Sequence, residues 1–478
     1  AALWLAAWPG PCAGRARAGP VWFCSWQHTG HVKALLPIAR ELQARGWEVA
    51  VAVHEEVAHL VPRELPARSA GRLPWAWDEE LRFRQLLWDP TPPAEGQEAG
   101  ERKAELSERY FVGSQRSLAL GLNATLQAAP REQWPALLAV DVSSVGAMDL
   151  AEQLGLPYAV VSAWPVGPTL QSVGDASALA HAWLPSELFA FPQAAEQQAF
   201  GDRLQRAVLT TALPWFMEFA GFHAPRRALR REFGLTGSLE LLEAPRRGPM
   251  REKPLVLVLS HWGLDRPRPL PPNVVLVGPV EDYAALLPGR APLPARVGEW
   301  LLQDEGRVVY VSFGTNVQPR PRMVRELLAA MARLEAGGLR FLWDAEQAEI
   351  ESQAAAAEAA AAGAAEAPAG SQRQAVPENV LFAPRVDQLA VLASGRVSAF
   401  VSHCGLNSVH EAMHFGVPVV GLPFLGDQLI TAFLLAEAGA GARLSVPGLS
   451  AAAFEAAVRR VASEERYRLG AARVGGLA

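Results

Sequence analysis

Most of the side chains whose type and spacing can do chemistry lie between residues 400 and 428. The apolar run Phe400, Val401, Ser402 leads into His403, Cys404 and Gly405, and Asn407, Ser408 and Glu411 follow at helical spacing. A strand that turns through a glycine into a helix start offers free backbone N–H groups and the positive end of a helix dipole. That is a setting suited to a diphosphate. Asn407 and Ser408 stand in the first helical turn, where they can donate to phosphate oxygens, and His403 closes the strand at the same spot. Glu411, one turn in, can accept hydrogen bonds from a ribose diol. Asp427 and Gln428 follow the next strand, Val419–Leu422, and so fall on the carboxyl-end rim where open α/β sheets bind ligands.

The elements needed to position these groups are legible along the whole chain. VWFCSW (21–26) is a buried-strand run, Val32, Leu35, Leu36, Ala39 and Leu42 recur at helical spacing up to Gly46, and EVAVAV (48–53) is the next strand. The strand–helix–strand order recurs at 137–162 and, after a Pro-rich stretch at 266–295, again at 308–343 and 399–438. The expectation is α/β architecture in two Rossmann-like, doubly wound domains. Their bounds are 21–281 and 282–478, with 345–376, rich in Ala, Glu and Gln, inserted as a solvated loop or loose helix. The Trp- and Phe-rich stretches at 80–130 and 165–245, with Trp77, Trp88, Trp164, Trp183 and Trp215 in or near them, suggest an apolar acceptor cavity.

Bulk composition sets limits. With 478 residues, 50% hydrophobic and 19% charged, the chain can bury a large core, and a net charge of −5 argues against a general nucleic-acid binder. Three cysteines (Cys12, Cys24, Cys404) form neither a disulfide framework nor a CxxC pair, which favours a reduced, cytoplasmic setting. Residues 1–20 open on an apolar run and turn to small residues, as in a truncated signal peptide or a disordered segment. A secretory setting follows if they are the former, and the sequon Asn123-Ala124-Thr125 matters only then. No stretch is long and apolar enough for a membrane span.

The 403–428 stretch resembles the signature of the UDP-glycosyltransferases, whose plant-type core reads HCGxNSxxExxxxGVPxxxxPxxxDQ. Every fixed residue is present at its spacing, including Gly416, Val417, Pro418 and Pro423. The resemblance extends from about residue 21 to about 470, and Val309–Thr315, Leu339–Trp343 and Val277–Pro279 also fit. It implies the GT-B fold, two Rossmann-like domains facing across a cleft, with a UDP-sugar on the second and a small acceptor on the first. It further implies that His403, Asn407 and Ser408 hold the diphosphate, with Gly405, Gly314 and Thr315 approaching it, that Glu411 holds the ribose, and that Asp427 and Gln428 bind the sugar. Phe382 and Ala383 would meet uracil. Here the chain departs from the family's Trp-x-Pro-Gln: Arg385 stands where the family has Gln, and a short insertion follows Pro384. Ser394 replaces a usual His, and Leu406 the plant-type Trp.

Gly30 and His31 match the family's Gly-His pair, and Asp141 resembles its partner Asp. A neutral imidazole can take the proton of an acceptor hydroxyl as it attacks the anomeric carbon, and a carboxylate behind it fixes the tautomer. The implied reaction is inverting transfer of a hexose, glucose as the first choice, to a small apolar acceptor, with no metal or other cofactor. His410, Glu411 and His414 also satisfy HExxH, but Gly416 and Pro418 end that helix at once and no third ligand follows, so zinc is not expected. His28 is expected as a loop residue and Asp149 as a solvated helix residue. Two rival readings use the same residues: a UDP-sugar epimerase or hydrolase, and an inactive nucleotide-sugar binder. Product analysis with and without acceptor separates the first, and binding measured beside turnover the second.

Overall fold

The computed structural model describes residues 19–75, 96–172, 224–232, 234, 254–303, 307–361 except 316 and 318, and 376–478 except 425. Expectations for residues 1–18, for Trp77, Trp88, Trp183 and Trp215, and for 362–375 lie outside the described residues. The described chain divides into two compact units, one of residues 19–261 and 267–281, the other of 262–266 and 282–478. Among the described residues no helix is long and apolar enough to cross a membrane.

The first unit is built on strands β1 (Val21–Cys24), β2 (Val49–Val53), β3 (Ala67–Ser69), β4 (Leu137–Asp141), β5 (Tyr158–Ser162), β6 (Leu255–Val258) and β7 (Val274–Leu276). They form one parallel sheet in the order β3-β2-β1-β4-β5-β6-β7, so the winding reverses between β1 and β4. The strands are apolar on both faces because helices cover both. Val21 and Phe23 join Val32, Leu35, Leu36 and Ala39 of helix α1 (Thr29–Ala44) in one core. Trp22 and Cys24 turn the other way, into a core with Leu118, Leu122 and Leu126 of α2 (Gly96–Gln127) and Ala147, Leu150 and Ala151 of α3 (Val145–Leu154). Gly155 ends α3 in the left-handed conformation that glycine adopts without a Cβ penalty. Two further helices follow β5, α4 (Val166–Ser172) and α5 (Ala224–Glu232).

One sequence expectation changes here. Asp149 is not solvated: it is fully buried on α3 and hydrogen-bonded to Arg230 of α5, which also reaches Glu152 at 3.3 Å. The partner lies far along the chain, beyond the reach of a local pattern. The Asn123 sequon sits inside α2, and the Thr125 hydroxyl donates to the Ser69 carbonyl at 2.5 Å.

The second unit repeats the plan. Strands β8 (Arg307–Ser312), β9 (Leu339–Trp343), β10 (Val380–Phe382), β11 (Val397–Ser402), β12 (Val419–Gly421) and β13 (Gly441–Arg443) form a parallel sheet in the order β10-β9-β8-β11-β12-β13. The reversal lies between β8 and β11. After the short helices α6 (Tyr283–Leu286) and α7 (Ala295–Leu302) come α8 (Pro321–Glu335), α9 (Gln347–Ala361), α10 (Gln388–Ala393), α11 (Leu406–His414), α12 (Asp427–Glu437), α13 (Ala451–Ser463) and α14 (Glu465–Gly476). Tyr310 and Phe400 face a core with α11 and α12, while Val309, Val311 and Phe341 face one with α8 and α13.

The stretch expected as a solvated insertion is, over 347–361, the docked helix α9. Ile350 and Ala354, one turn apart, are buried in the core that also takes Leu327 and Met331 of α8. Alanine is a strong helix former, and its small side chain suits a close seam between helices. Composition shows the alanines but not the partner they pack on.

Candidate active site

In each unit the polar groups gather where the strand order reverses, the place at which open α/β sheets take ligands. In the first, the chain leaves β1 through Trp26, Gln27 and His28 and enters α1 at Thr29. Extended backbone at His28 caps the helix, and its carbonyl accepts from His31 N at 3.0 Å. His31 therefore stands in the first turn, facing the end of β4 across the reversal. Its Nδ1 lies 2.9 Å from one Asp141 carboxylate oxygen and 3.0 Å from the other. Asp141 is 1% exposed and His31 18%. The carboxylate is itself oriented, because Ser143 N donates to Asp141 Oδ1 at 2.9 Å. An acceptor-only carboxylate on Nδ1 selects the tautomer with its proton there, which leaves Nε2 as the basic nitrogen.

Aromatic and polar contacts brace this turn. The rings of Trp26 and Trp164 stand edge-on to His31 at 5.9 and 6.3 Å between centroids. Helix α2 adds two buried hydrogen bonds, Trp26 Nε1 to Ser114 Oγ at 2.9 Å and Tyr110 OH with His28 Nε2 at 2.8 Å. His28 is a loop residue between β1 and α1, as expected, and it is also buried, because Tyr110, distant in sequence, supplies its partner. Tyr110 and Ser114 carry no sequence motif and were not anticipated.

In the second unit, Gly314 and Thr315 leave β8 and His403 leaves β11, again on either side of the reversal. Gly314 has φ +68°, and a Cβ there would stand 2.8 Å from His403 Cε1. A Cβ on Gly405 would stand 2.6 Å from His403 Nε2. Both glycines are therefore required by the ring they enclose. Burial pushes the His403 imidazole down to about 4, so it is neutral at ordinary pH. Cys404, with φ +64°, turns the chain in the left-handed region; its backbone N donates to Ser402 Oγ at 3.1 Å. Such a backbone outlier at a ligand-binding rim is a recognised place for stored strain. The turn delivers Gly405 as the N-cap of α11, with Asn407 and Ser408 in its first turn and Glu411 one turn on.

The remaining expected residues are placed less uniformly. Asp427 and Gln428 open α12 after β12, but the Gln428 side chain is buried, and its Oε1 accepts from Phe424 N at 3.0 Å. Phe382, at the end of β10, is 7% exposed and packs against Trp343 at 5.6 Å between centroids, so its ring belongs largely to the core; Ala383 N donates to Trp343 O at 2.9 Å. In the HExxH-like stretch His410 is buried, while the His414 ring packs on Tyr283 and Phe415.

Two residues outside the motif complete the rim. Asp344, just after β9, accepts from Arg385 N at 2.7 Å and from Ser312 Oγ at 3.1 Å; burial raises its carboxyl above the usual range, and these donors oppose the rise. Gln388, the first residue of α10, donates from Nε2 to Glu411 Oε2 at 2.7 Å and to Ser408 Oγ at 3.2 Å.

Two parallel α/β units, each wound in Rossmann order and each with polar side chains at its reversal, define a fold of the GT-B glycosyltransferase class. Solved structures of that class share it. The calicheamicin glycosyltransferase CalG4 aligns with TM-score 0.60 at 18% identity, over 96% of this chain and 94% of that one. Os79 from O. sativa, in complex with U2F and trichothecene, aligns with TM-score 0.58 at 20% identity, over 95% and 94%. The family model for UDP-glucoronosyl and UDP-glucosyl transferase matches residues 25–477, and the chain belongs to that family. Among curated relatives, the UDP-glycosyltransferase stmC of Aspergillus ustus is 29% identical over 50% of this chain and 43% of its own length. The UDP-glucuronosyltransferase 2B13 of Oryctolagus cuniculus is 25% identical over 73% and 58%. The chain spans about half the length of the curated relatives it matches.

Proposed function

We propose that this chain transfers a hexosyl group, glucose as the first choice, from a UDP-sugar to a hydroxyl of a small apolar acceptor, with inversion and without a metal. The observation that carries the reading is the His31–Asp141 pair, hydrogen-bonded at the reversal of the first sheet. His31 Nε2 takes the acceptor proton as the acceptor oxygen bonds to the anomeric carbon, and the bond from that carbon to the diphosphate breaks. The imidazolium that results is stabilised by Asp141. Negative charge then develops on the departing UDP. The α11 N-terminus, with Asn407 and Ser408, provides N–H groups and a dipole end suited to that charge, and Glu411 suits the ribose. The aromatic rings of Trp26 and Trp164 beside His31 favour an apolar acceptor. Family names divide between glucosyl and glucuronosyl transfer, which supports a hexose or its acid as the sugar. Turnover of UDP-glucose with an acceptor panel tests the reading. His31→Ala should abolish transfer while UDP still binds, and full transfer by that variant would remove the base assignment.

A further inference from the structure

We propose that Asp344 is a positioning residue of the nucleotide site, whose one carboxylate ties the turn after β8 to the turn after β10 and so sets the phosphate end and the base end together. Reading the second unit as the UDP-sugar site, on which this inference rests, puts the turn at 382–386 at the base end. The sheet order β10-β9-β8 places Asp344, which follows the middle strand, between the two turns. Its Oδ2 accepts from Ser312 Oγ at 3.1 Å and its Oδ1 from Arg385 N at 2.7 Å, and Val386 N donates to the same carboxylate. These donors offset the cost of burying a carboxylate there.

Each turn needs that anchor. On the β8 side Ser312 is buried; its carbonyl accepts from the His403 ring, and its Oγ accepts from Gly314 N at 3.4 Å. The ring enclosed by Gly314 and Gly405 therefore rests on the residue that Asp344 holds. On the β10 side Arg385 has φ +55°, a conformation that few residues other than glycine adopt. Its side chain does not keep it there, because the guanidinium is 91% exposed and lies 3.8 Å from Glu346. The backbone N–H does, through a bond to an ionised acceptor, which is stronger than a bond between neutral groups.

A residue that merely packs would change stability but not which base the site prefers. Calorimetric binding of UDP and of CDP to the full chain and its variants is the test, with thermal melting as the folding control. The two nucleotides carry the same diphosphate, so the ratio of their affinities reads the base end alone. In Asp344→Leu both turns lose a hydrogen bond to a charged group; UDP binding should weaken by about tenfold or more, and the preference for UDP over CDP should shrink. Asp344→Ser, polar but too short to reach both turns, should do the same and serves if the leucine variant does not fold. Asp344→Asn keeps an oxygen for Arg385 N and an amide for Ser312, and should restore affinity and preference to within a few-fold. Ser312→Ala cuts the β8 arm only and should weaken UDP and CDP equally. Arg385→Gly keeps the donated N–H and suits the left-handed backbone, so it should bind UDP as wild type does and recover part of the loss when added to Asp344→Leu or Asp344→Ser. Unchanged UDP affinity or base preference in the folded Leu or Ser variant, or no rescue by either Asn or the added glycine, would overturn the inference. A wild-type chain that binds neither nucleotide would instead overturn the donor-site reading itself.

Discussion

The substitution Asp141→Asn separates the orienting role of the carboxylate from its shape. In the native site Ser143 N donates to Oδ1 at 2.9 Å, while the other oxygen lies 2.9 Å from His31 Nδ1. In the variant, the Ser143 donor will hold the new amide oxygen in the Oδ1 place, which puts the amide NH2 against His31. An NH2 donor there opposes a proton on Nδ1, which only the amide oxygen at 3.0 Å can still accept, and shifts the tautomer balance toward Nε2, where a proton blocks the nitrogen that should act as base. Loss of the bond to the carboxylate alone costs about 1.5–3 kcal/mol, or roughly ten- to a hundredfold in rate. The wrong tautomer extends the loss toward ~10⁴-fold, as in Ser-His-Asp sites. Steady-state assays with the best acceptor should therefore show kcat/KM down by about 10²–10⁴ with UDP affinity unchanged. Transfer within a few-fold of wild type, or a parallel fall in UDP affinity, would refute the orientation argument.

Other substitutions probe separate links of the structure. Gly314→Ala forces a Cβ onto the His403 ring at a left-handed position; it should cost about 1–3 kcal/mol in denaturant unfolding and weaken UDP binding sharply. Asp149→Ala removes a buried carboxylate hydrogen-bonded to the buried Arg230 and should destabilise the chain by about 3 kcal/mol or more in the same assay, without altering UDP affinity in the folded protein. Stability should also depend on pH. Burial pushes His54, His261 and His403 from the ordinary 6.5 to about 4. The unfolded chain binds more protons in that window, so stability present above pH 6.5 should be lost as pH falls toward about 4. Urea midpoints that stay flat across the window would contradict this.

The sequence revealed most where chemistry and periodicity are local. The 403–428 stretch announces its strand, turn and helix through Gly405, Gly416 and Pro418, and the structure places each element as expected. The Gly30-His31 turn and the strand ending at Asp141 were equally legible, since β1, α1 and β4 each carry their own apolar pattern. Groups that depend on distant partners were not. Asp149 looks like a solvated helix residue until Arg230 is brought to it, the loop residue His28 carries no local sign of its buried bond to Tyr110, and the Ala-rich 347–361 looks like solvated chain until α8 lies beneath it. Phe382 and Gln388 show the same limit at the base end of the site. The Phe382 ring packs on Trp343, and Gln388 donates to Glu411, contacts that no motif spacing marks. A motif states residue types at fixed spacing and says nothing of the partners that the fold brings to them.

Mass spectrometry of an acceptor library incubated with UDP-glucose and, separately, UDP-glucuronate is the direct test of sugar transfer from a UDP-sugar. Acceptors should gain one sugar unit with release of UDP in equal amount, both should persist in the presence of a chelator, and both should be lost in His31→Ala. Sugar released only to water, or no turnover by a chain that binds UDP, would contradict it.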